Sequence, residues 1–128
     1  MRLVLVDTDV LIEVMREREP AIPEAWARAI AEGHRLLCSP VSIAEVWHGA
    51  RPAEHERIKA VFSALHCIPA GEAIGRQGGD FLRTFSKSRG LDLGDALMAA
   101  AAAVHDLELW TRNRRRYPMR GLKFYDER

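Results

Sequence analysis

Cysteines are scarce in this sequence, and they show no recognisable spacing. The chain of 128 residues has only Cys38 and Cys67, far apart and each among apolar neighbours. This pattern excludes a zinc ribbon and a disulfide framework, and it favours buried thiols in a reducing compartment. The chain is long enough to bury its own core, so we expect a single domain over residues 1–128.

Long apolar runs are also missing. The longest, residues 96–104, covers nine positions, whereas a helix that crosses a bilayer needs about 20. Asp7 interrupts the first apolar stretch too early for a signal peptide. We therefore expect a cytoplasmic protein that does not bind membranes.

Several catalytic motifs are absent. The sequence contains no G-x-S-x-G, no P-loop, no dinucleotide-binding glycine motif and no paired-histidine zinc motif. The net charge is only +1, so the total charge does not indicate a polyanionic partner. Local charge differs, because the segment TRNRRRYPMR, residues 111–120, carries five arginines.

What the sequence does contain is an alternation of short apolar strands with helical patterns. The predicted strands cover residues 3–6, 36–38, 66–68, 108–111 and 122–125. The predicted helices cover residues 10–18, 23–33, 40–47, 54–65, 70–89 and 93–104. This alternation predicts an α/β fold with a central, mostly parallel sheet of about five strands and helices on both faces.

Two aspartates follow the first predicted strand in LVLVDTDVLI, residues 3–12. Ligands of open α/β sheets bind beyond the carboxyl ends of the strands, where Asp7 stands. Either aspartate could also cap the following helix. Asp9 is the better candidate N-cap, which would leave Asp7 free to point into a cleft.

Two further carboxylates occur at positions that suggest a site. Glu45 lies on a mostly apolar helix, where burial would be costly without a partner; a helix face turned to solvent explains it equally well. Asp95 opens the alanine-rich helix. Taken alone, Asp95 is better explained as the N3 residue of a helix capped by Asp92.

Considered together, Asp7, Glu45 and Asp95 predict a metal site. Carboxylate oxygens suit Mg²⁺, with Mn²⁺ as an alternative, and a cluster of acids repels itself unless a cation lies among them. The chemistry would be metal-assisted hydrolysis of phosphodiester bonds.

The arginine-rich segment would then hold nucleic-acid phosphates at the rim of the acidic cleft. Solvated arginines on a surface loop explain the segment equally well. Trp47, Trp110 and Tyr117 could stack on bases, although core packing is the better explanation for the two tryptophans.

The sequence resembles the PIN-domain ribonucleases, specifically the toxins of VapBC-type toxin–antitoxin pairs. The resemblance covers nearly the whole chain. It rests on the ordered segments LVDTDVLIEV, SPVSIAEVWHGA, LGDALMAAAAAVHDLELWTRN and LKFYD.

This resemblance implies a PIN-like fold and a Mg²⁺-dependent ribonuclease. By position, Asp7, Glu45 and Asp95 match the family's acidic residues, with Asp7 and Asp95 as its principal metal ligands and Glu45 as a further one. The family often has a fourth acid at or just after T-R-N, where this chain has Asn113 and then three arginines. Asn113 is therefore a catalytic candidate, and a single-metal or water-mediated site is expected.

The resemblance also implies an RNA substrate, a homodimer and a VapB-like antitoxin that blocks the cleft. The helices around residues 8–18 and 54–65 are candidate antitoxin surfaces. One alternative is a degenerate PIN domain that binds RNA or a partner without cleavage. A haloacid-dehalogenase-like phosphatase is a second alternative, but its D-x-D motif requires Thr or Val where Leu11 stands.

Overall fold

The structure, a computed structural model, describes residues 1–127. Its strands are β1 Leu3–Val6, β2 Arg35–Cys38, β3 His66–Cys67 and β4 Glu108–Trp110. Its α-helices are α1 Thr8–Arg16, α2 Ala21–Ala31, α3 Pro40–His48, α4 His55–Ser63, α5 Glu72–Arg89 and α6 Leu93–Val104. Two short 3₁₀ turns cover Pro52–Glu54 and Arg114–Arg116. Within residues 1–127, no helix is both long and apolar enough to cross a membrane.

The four strands of the described residues form one sheet in the order β3-β2-β1-β4, and every neighbouring pair is parallel. The predicted α/β fold is confirmed, with four strands instead of about five. The predicted last strand forms only an isolated bridge between Leu109 and Phe124. Leu109 donates its backbone N–H to Lys123 O and accepts from the Tyr125 N–H, so the contact rests on a single residue of β4.

Side chains on successive strand residues point to opposite faces of the sheet, which produces two cores. On one face, Leu5 and Leu109 pack with α5 and α6. On the other face, Val4, Val6 and Trp110 pack with α1 and α2. With β1 covered on both faces and paired on both edges, its carboxyl end is held in place by the core of the protein.

Helix α5 shows why its glycines do not break it. Gly75, Gly78 and Gly79 lie within α5, yet the helix is continuous from Glu72 to Arg89. A Cβ at Gly78 would lie 2.9 Å from Leu97 Cδ2 on α6. The missing side chain at Gly78 thus lets α5 and α6 approach closely, and packing offsets the low helix propensity of glycine.

Candidate active site

Asp7 is buried, with 3% of its surface exposed, and its carboxylate is fully engaged. Oδ1 accepts a hydrogen bond from the Thr8 backbone N–H at 2.8 Å. Oδ2 accepts from the Tyr117 hydroxyl at 2.7 Å and from Arg116 Nη2 at 2.9 Å. Asp7 is therefore the N-cap of α1, which begins at Thr8. The prediction that Asp9 caps this helix is wrong, and Asp7 does not point freely into a cleft.

Asp9 instead belongs to the same charged cluster. Its two oxygens lie 3.3 and 3.2 Å from the backbone nitrogen of Arg112, which donates to them. Its Oδ2 also accepts from Arg116 Nη2 at 3.3 Å. Burial, and then the charge of Asp7, raises the pKa of Asp9, while the bonds from residues 112 and 116 oppose that rise. Asp9 thus joins α1 to the loop that follows β4.

Glu45 reaches the cluster through Thr8. Thr8 Oγ1 lies 2.6 Å from Glu45 Oε1 and 3.0 Å from Ser42 Oγ. Because the threonine hydroxyl has one proton, it donates to the carboxylate and accepts from Ser42. A Cβ at Gly94 would lie 3.2 Å from Glu45 Oε2. Glu45 therefore lies between the first turns of α1 and α6.

Asp95 is the N3 residue of α6, as predicted, and its backbone N–H donates to Asp92 Oδ1 at 2.8 Å. The pKa of Asp95 is raised to about 6, chiefly by burial; the charges of Asp92, Asp7 and Glu45 contribute to the rise, and the charge of Arg116 opposes it. The helix-start explanation and the site explanation hold together. Asp95 starts the helix, and it is also close enough to the other carboxylates to sense their charge.

Arg116 joins the aspartates. Beside its contacts with Asp7 and Asp9, its Nη1 lies 3.7 Å from Asp95 Oδ1. Burial alone would lower the pKa of Arg116, but the charges of the surrounding acids raise it above its ordinary value. Burial and the charge of Asp7 likewise raise the pKa of Tyr117. Hence Arg116 stays positively charged, and Tyr117 keeps the proton that it donates to Asp7.

Asn113 does not join this cluster. Its backbone N–H donates to Thr111 Oγ1 at 3.2 Å, and within residues 1–127 its side chain forms no hydrogen bond with the acids. The 3₁₀ turn that follows it carries Arg116 to the acids instead. A catalytic role for Asn113 stays a prediction.

The chemistry of the donor set fits a divalent cation. Asp7, Asp9, Glu45 and Asp95 supply only carboxylate oxygens, which are the ligands preferred by Mg²⁺ and Mn²⁺. Yet no group of three or more His, Cys, Asp or Glu side chains in the described chain is arranged to hold a metal ion. The guanidinium of Arg116 lies among the oxygens that a metal would need.

The other arginines of the segment differ in whether they contact a partner within the described residues. Arg112 pairs with Glu19, and Arg114 lies over the ring of Phe124. Arg115 and Arg120 are exposed. The predicted basic rim is therefore only partly free to meet phosphates.

The three aromatic candidates for base stacking lie in different environments. Trp110 is 1% exposed and belongs to the core, as predicted. Trp47 does not, since it is 44% exposed and stacks on His55. Tyr117 is buried against Asp7, so it offers no face to a base.

The prediction from sequence missed Thr8 and Ser42, and it gave Arg116 and Tyr117 other roles, as a phosphate-binding arginine and as a base-stacking ring. One available signal was topological. Residues after β4 and residues after β1 leave the same edge of a parallel sheet, so the segment after Trp110 had to lie near Asp7. Which of its arginines turned inward was not readable from composition.

Comparisons with known proteins agree with this fold. The family model described as "PIN domain" matches residues 4–121. The chain therefore belongs to the PIN-domain family. This removes the support for the phosphatase interpretation of Asp7 and Asp9.

Within that family, the chain is similar to two Mycobacterium tuberculosis proteins. It is 37% identical over 118 residues to Ribonuclease VapC10, covering 91% of this chain and 87% of the relative. It is 36% identical over 116 residues to Ribonuclease VapC19, covering 90% of this chain and 92% of that relative.

Solved structures share the fold. One is VapBC2 from Rickettsia felis bound to a promoter DNA fragment, with a TM-score of 0.81 at 17% identity, covering 96% of this chain and 97% of that one. Another is a toxin–antitoxin complex from Klebsiella pneumoniae, with a TM-score of 0.77 at 24% identity, covering 95% and 96%.

Proposed function

We propose that this protein is a Mg²⁺-dependent endoribonuclease, the toxin of a toxin–antitoxin pair in the cytoplasm. The observation that carries the proposal is the meeting of three aspartates at one guanidinium, with Glu45 one hydroxyl away. Clustered carboxylates repel one another unless a cation lies among them. The relatives named ribonucleases cover nine-tenths of the chain, which favours RNA as the substrate.

The residues have separate tasks in this proposal. Asp7 and Asp95 would hold the metal, with Glu45 as a further ligand. A bound Mg²⁺ supplies a hydroxide at neutral pH and stabilises charge on the phosphate. Tyr117 orients Asp7 and Thr8 orients Glu45, in the way that hydrogen-bonded neighbours commonly fix ligands. The exposed arginines of the segment after β4 would bind RNA phosphates.

The test is cleavage of a mixed RNA pool with Mg²⁺ or Mn²⁺, and with EDTA. We expect metal-dependent cleavage that falls at least about a hundredfold in Asp7→Asn and Asp95→Asn. Asparagine retains a side-chain oxygen for the helix cap, so circular dichroism should not change. Asp80→Asn, an exposed change on α5, is the matched control. Cleavage that survives either site substitution, or EDTA, would contradict the proposal.

A second candidate function is binding of RNA or a partner without cleavage. The observation that favours it is Arg116, which occupies the acidic cluster where the family often supplies a fourth acid. In this case a gel-shift assay would detect RNA binding, and the same RNA would stay intact at every metal concentration.

One surface of this chain is a candidate for binding the antitoxin. A cavity of about 70 Å³ lies between α1, α3 and α4, with Ile12, Met15 and Ile58 in its lining. Arg16 and Arg57 line it beside Glu45 and Glu54, so the lining carries both signs of charge. We propose that an apolar side chain of the antitoxin enters this cavity, which lies at the predicted surfaces around residues 8–18 and 54–65. Co-purification with the product of an adjacent small reading frame, lost in Ile12→Glu, tests this.

A homodimer is also proposed, on the family resemblance. Light scattering after size-exclusion chromatography should give about twice the mass of one 14.4 kDa chain. A monomer at micromolar concentration would contradict it.

A further inference from the structure

Arg116 occupies the place of a cation. One of its terminal nitrogens contacts Asp7 at 2.9 Å and Asp9 at 3.3 Å, and the other lies 3.7 Å from Asp95. These three acids come from two helices that begin at the same edge of the sheet. A single guanidinium therefore offsets part of the repulsion among these carboxylates.

The oxygens of Asp7 have little capacity left. Oδ2 already accepts from Tyr117 and Arg116, which uses both of its lone pairs. Oδ1 accepts from the Thr8 backbone N–H. A divalent cation that used Oδ2 of Asp7 would have to displace Arg116, because Tyr117 is buried and its hydroxyl has no other hydrogen-bond partner within residues 1–127.

Arg116 is also incompletely satisfied in this position. Its Nε is buried and has no hydrogen-bond partner within residues 1–127. The side chain as a whole is 37% exposed and begins from a short 3₁₀ turn at the surface. An unpaired buried donor costs free energy, so the contact is held by charge rather than by full hydrogen bonding, and solvent is within reach.

We propose that Arg116 is an intramolecular competitor of the catalytic metal ion. It offsets part of the negative charge of the acidic cluster and holds it closed, and the divalent cation binds Oδ2 of Asp7 only when the guanidinium leaves. This inference rests on the proposed function, since it assumes that the cluster binds a metal. The apparent metal affinity is then reduced by the fraction of molecules in which Arg116 has left the site.

The experiment is a calorimetric titration of the folded protein with Mn²⁺, after treatment with EDTA and its removal. We expect Arg116→Ala to bind Mn²⁺ about tenfold more tightly than the unsubstituted chain, from the loss of competing charge-assisted hydrogen bonds. Arg116→Lys keeps a competing cation and should stay within about threefold. Arg115→Ala removes a neighbouring exposed charge that does not touch the acids, and should not change the Mn²⁺ affinity.

Thermal unfolding supplies a second readout, because Arg116→Ala should lower the melting temperature without metal and increase the stabilisation by metal. In EDTA, Arg116→Ala should melt at a lower temperature, because the acids repel one another without it. On addition of Mn²⁺, its melting temperature should rise more than that of the unsubstituted chain. Circular dichroism before the titration establishes that each variant is folded; if Arg116→Ala is not, Arg116→Gln replaces it.

RNA cleavage then separates this inference from the function itself. The ratio of cleavage by Arg116→Ala to cleavage by the unsubstituted chain should be highest at low metal and fall as metal rises. Equal Mn²⁺ affinities, or a ratio that is the same at all metal concentrations, would overturn the competitor role and leave the ribonuclease proposal standing. Absence of Mn²⁺ binding in every variant would overturn both.

Discussion

Tyr117 donates its hydroxyl proton to Asp7 Oδ2 at 2.7 Å, although 110 positions separate the two residues in sequence. Both are buried, and the bond links the end of β1 to the loop after β4. Tyr117 therefore fixes the orientation of a carboxylate that already starts helix α1.

Removing that hydroxyl should cost stability. A buried hydrogen bond to a charged group contributes about 2 kcal/mol, so Tyr117→Phe should lower the free energy of unfolding by about that amount. Urea denaturation measures it. Tyr125→Phe is the matched control, because Tyr125 is also buried and its hydroxyl forms no hydrogen bond within the described residues. Equal losses in the two variants would contradict a special role for the Tyr117–Asp7 bond.

Thr8 should matter to cleavage through Glu45. Thr8→Val keeps the shape of the side chain but leaves Glu45 without its 2.6 Å donor. We expect RNA cleavage to fall about tenfold, the usual effect of losing a neighbour that orients a ligand. Thr8→Ser restores the hydroxyl and should restore most of the rate. If serine fails to rescue, the methyl group rather than the hydrogen bond is the important part of Thr8.

Gly94 should be required for space rather than for backbone freedom. A Cβ there would lie 3.2 Å from Glu45 Oε2, so Gly94→Ala should displace Glu45 and reduce cleavage. Alanine also favours helix, by up to about 1 kcal/mol, and stability should not fall. Gly79→Ala on α5 meets nothing within 4 Å and is the control; it should gain stability at no loss of cleavage. Normal cleavage by Gly94→Ala would contradict the tight contact.

Asp95 should make the stability depend on pH. Since the pKa of Asp95 is raised to about 6, the folded protein binds a proton there more tightly than the unfolded chain does. Raising the pH from about 4 to about 6 therefore removes stability, and the loss is complete above that window.

The measurement is urea denaturation in EDTA across that range of pH. Asp95→Asn cannot titrate, so it should lack this loss and exceed the unsubstituted chain at neutral pH by about 1 kcal/mol, after allowance for solvent screening. Asp80→Asn should follow the unsubstituted chain. A lower stability of Asp95→Asn at neutral pH would show that its carboxylate stabilises the fold.

The fold was largely predictable because its signals are local. Leu93–Val104 is helical as predicted, and the strand at Leu3–Val6 is also correct, since apolar runs and cap residues define both. The fifth strand was wrong for a non-local reason, because the pairing of residues 122–125 with β4 stops at the bridge to Leu109.

The site was harder to predict than the fold. Asp7 and Asp95 were named from their positions at element ends and Glu45 from its place on a mostly apolar helix, and the structure places them near one another. The cap was assigned to Asp9 instead of Asp7 because both stand before an apolar helical pattern. Arg116 could not be singled out from its neighbours, as a 3₁₀ turn rather than residue type determines which arginine faces the acids.

The central position of β1 has a consequence for how this site moves. The Asp7 backbone N–H donates to Trp110 O at 2.9 Å, within a sheet that is covered on both faces, so its hydrogen should exchange with solvent only when the core opens. The surface turn Arg114–Arg116 has no such protection and should exchange quickly. The Asp7 carboxylate is therefore attached to a slowly exchanging part of the core, and the Arg116 guanidinium is attached to a rapidly exchanging turn. Arg116 can move away from Asp7 without any change in the sheet.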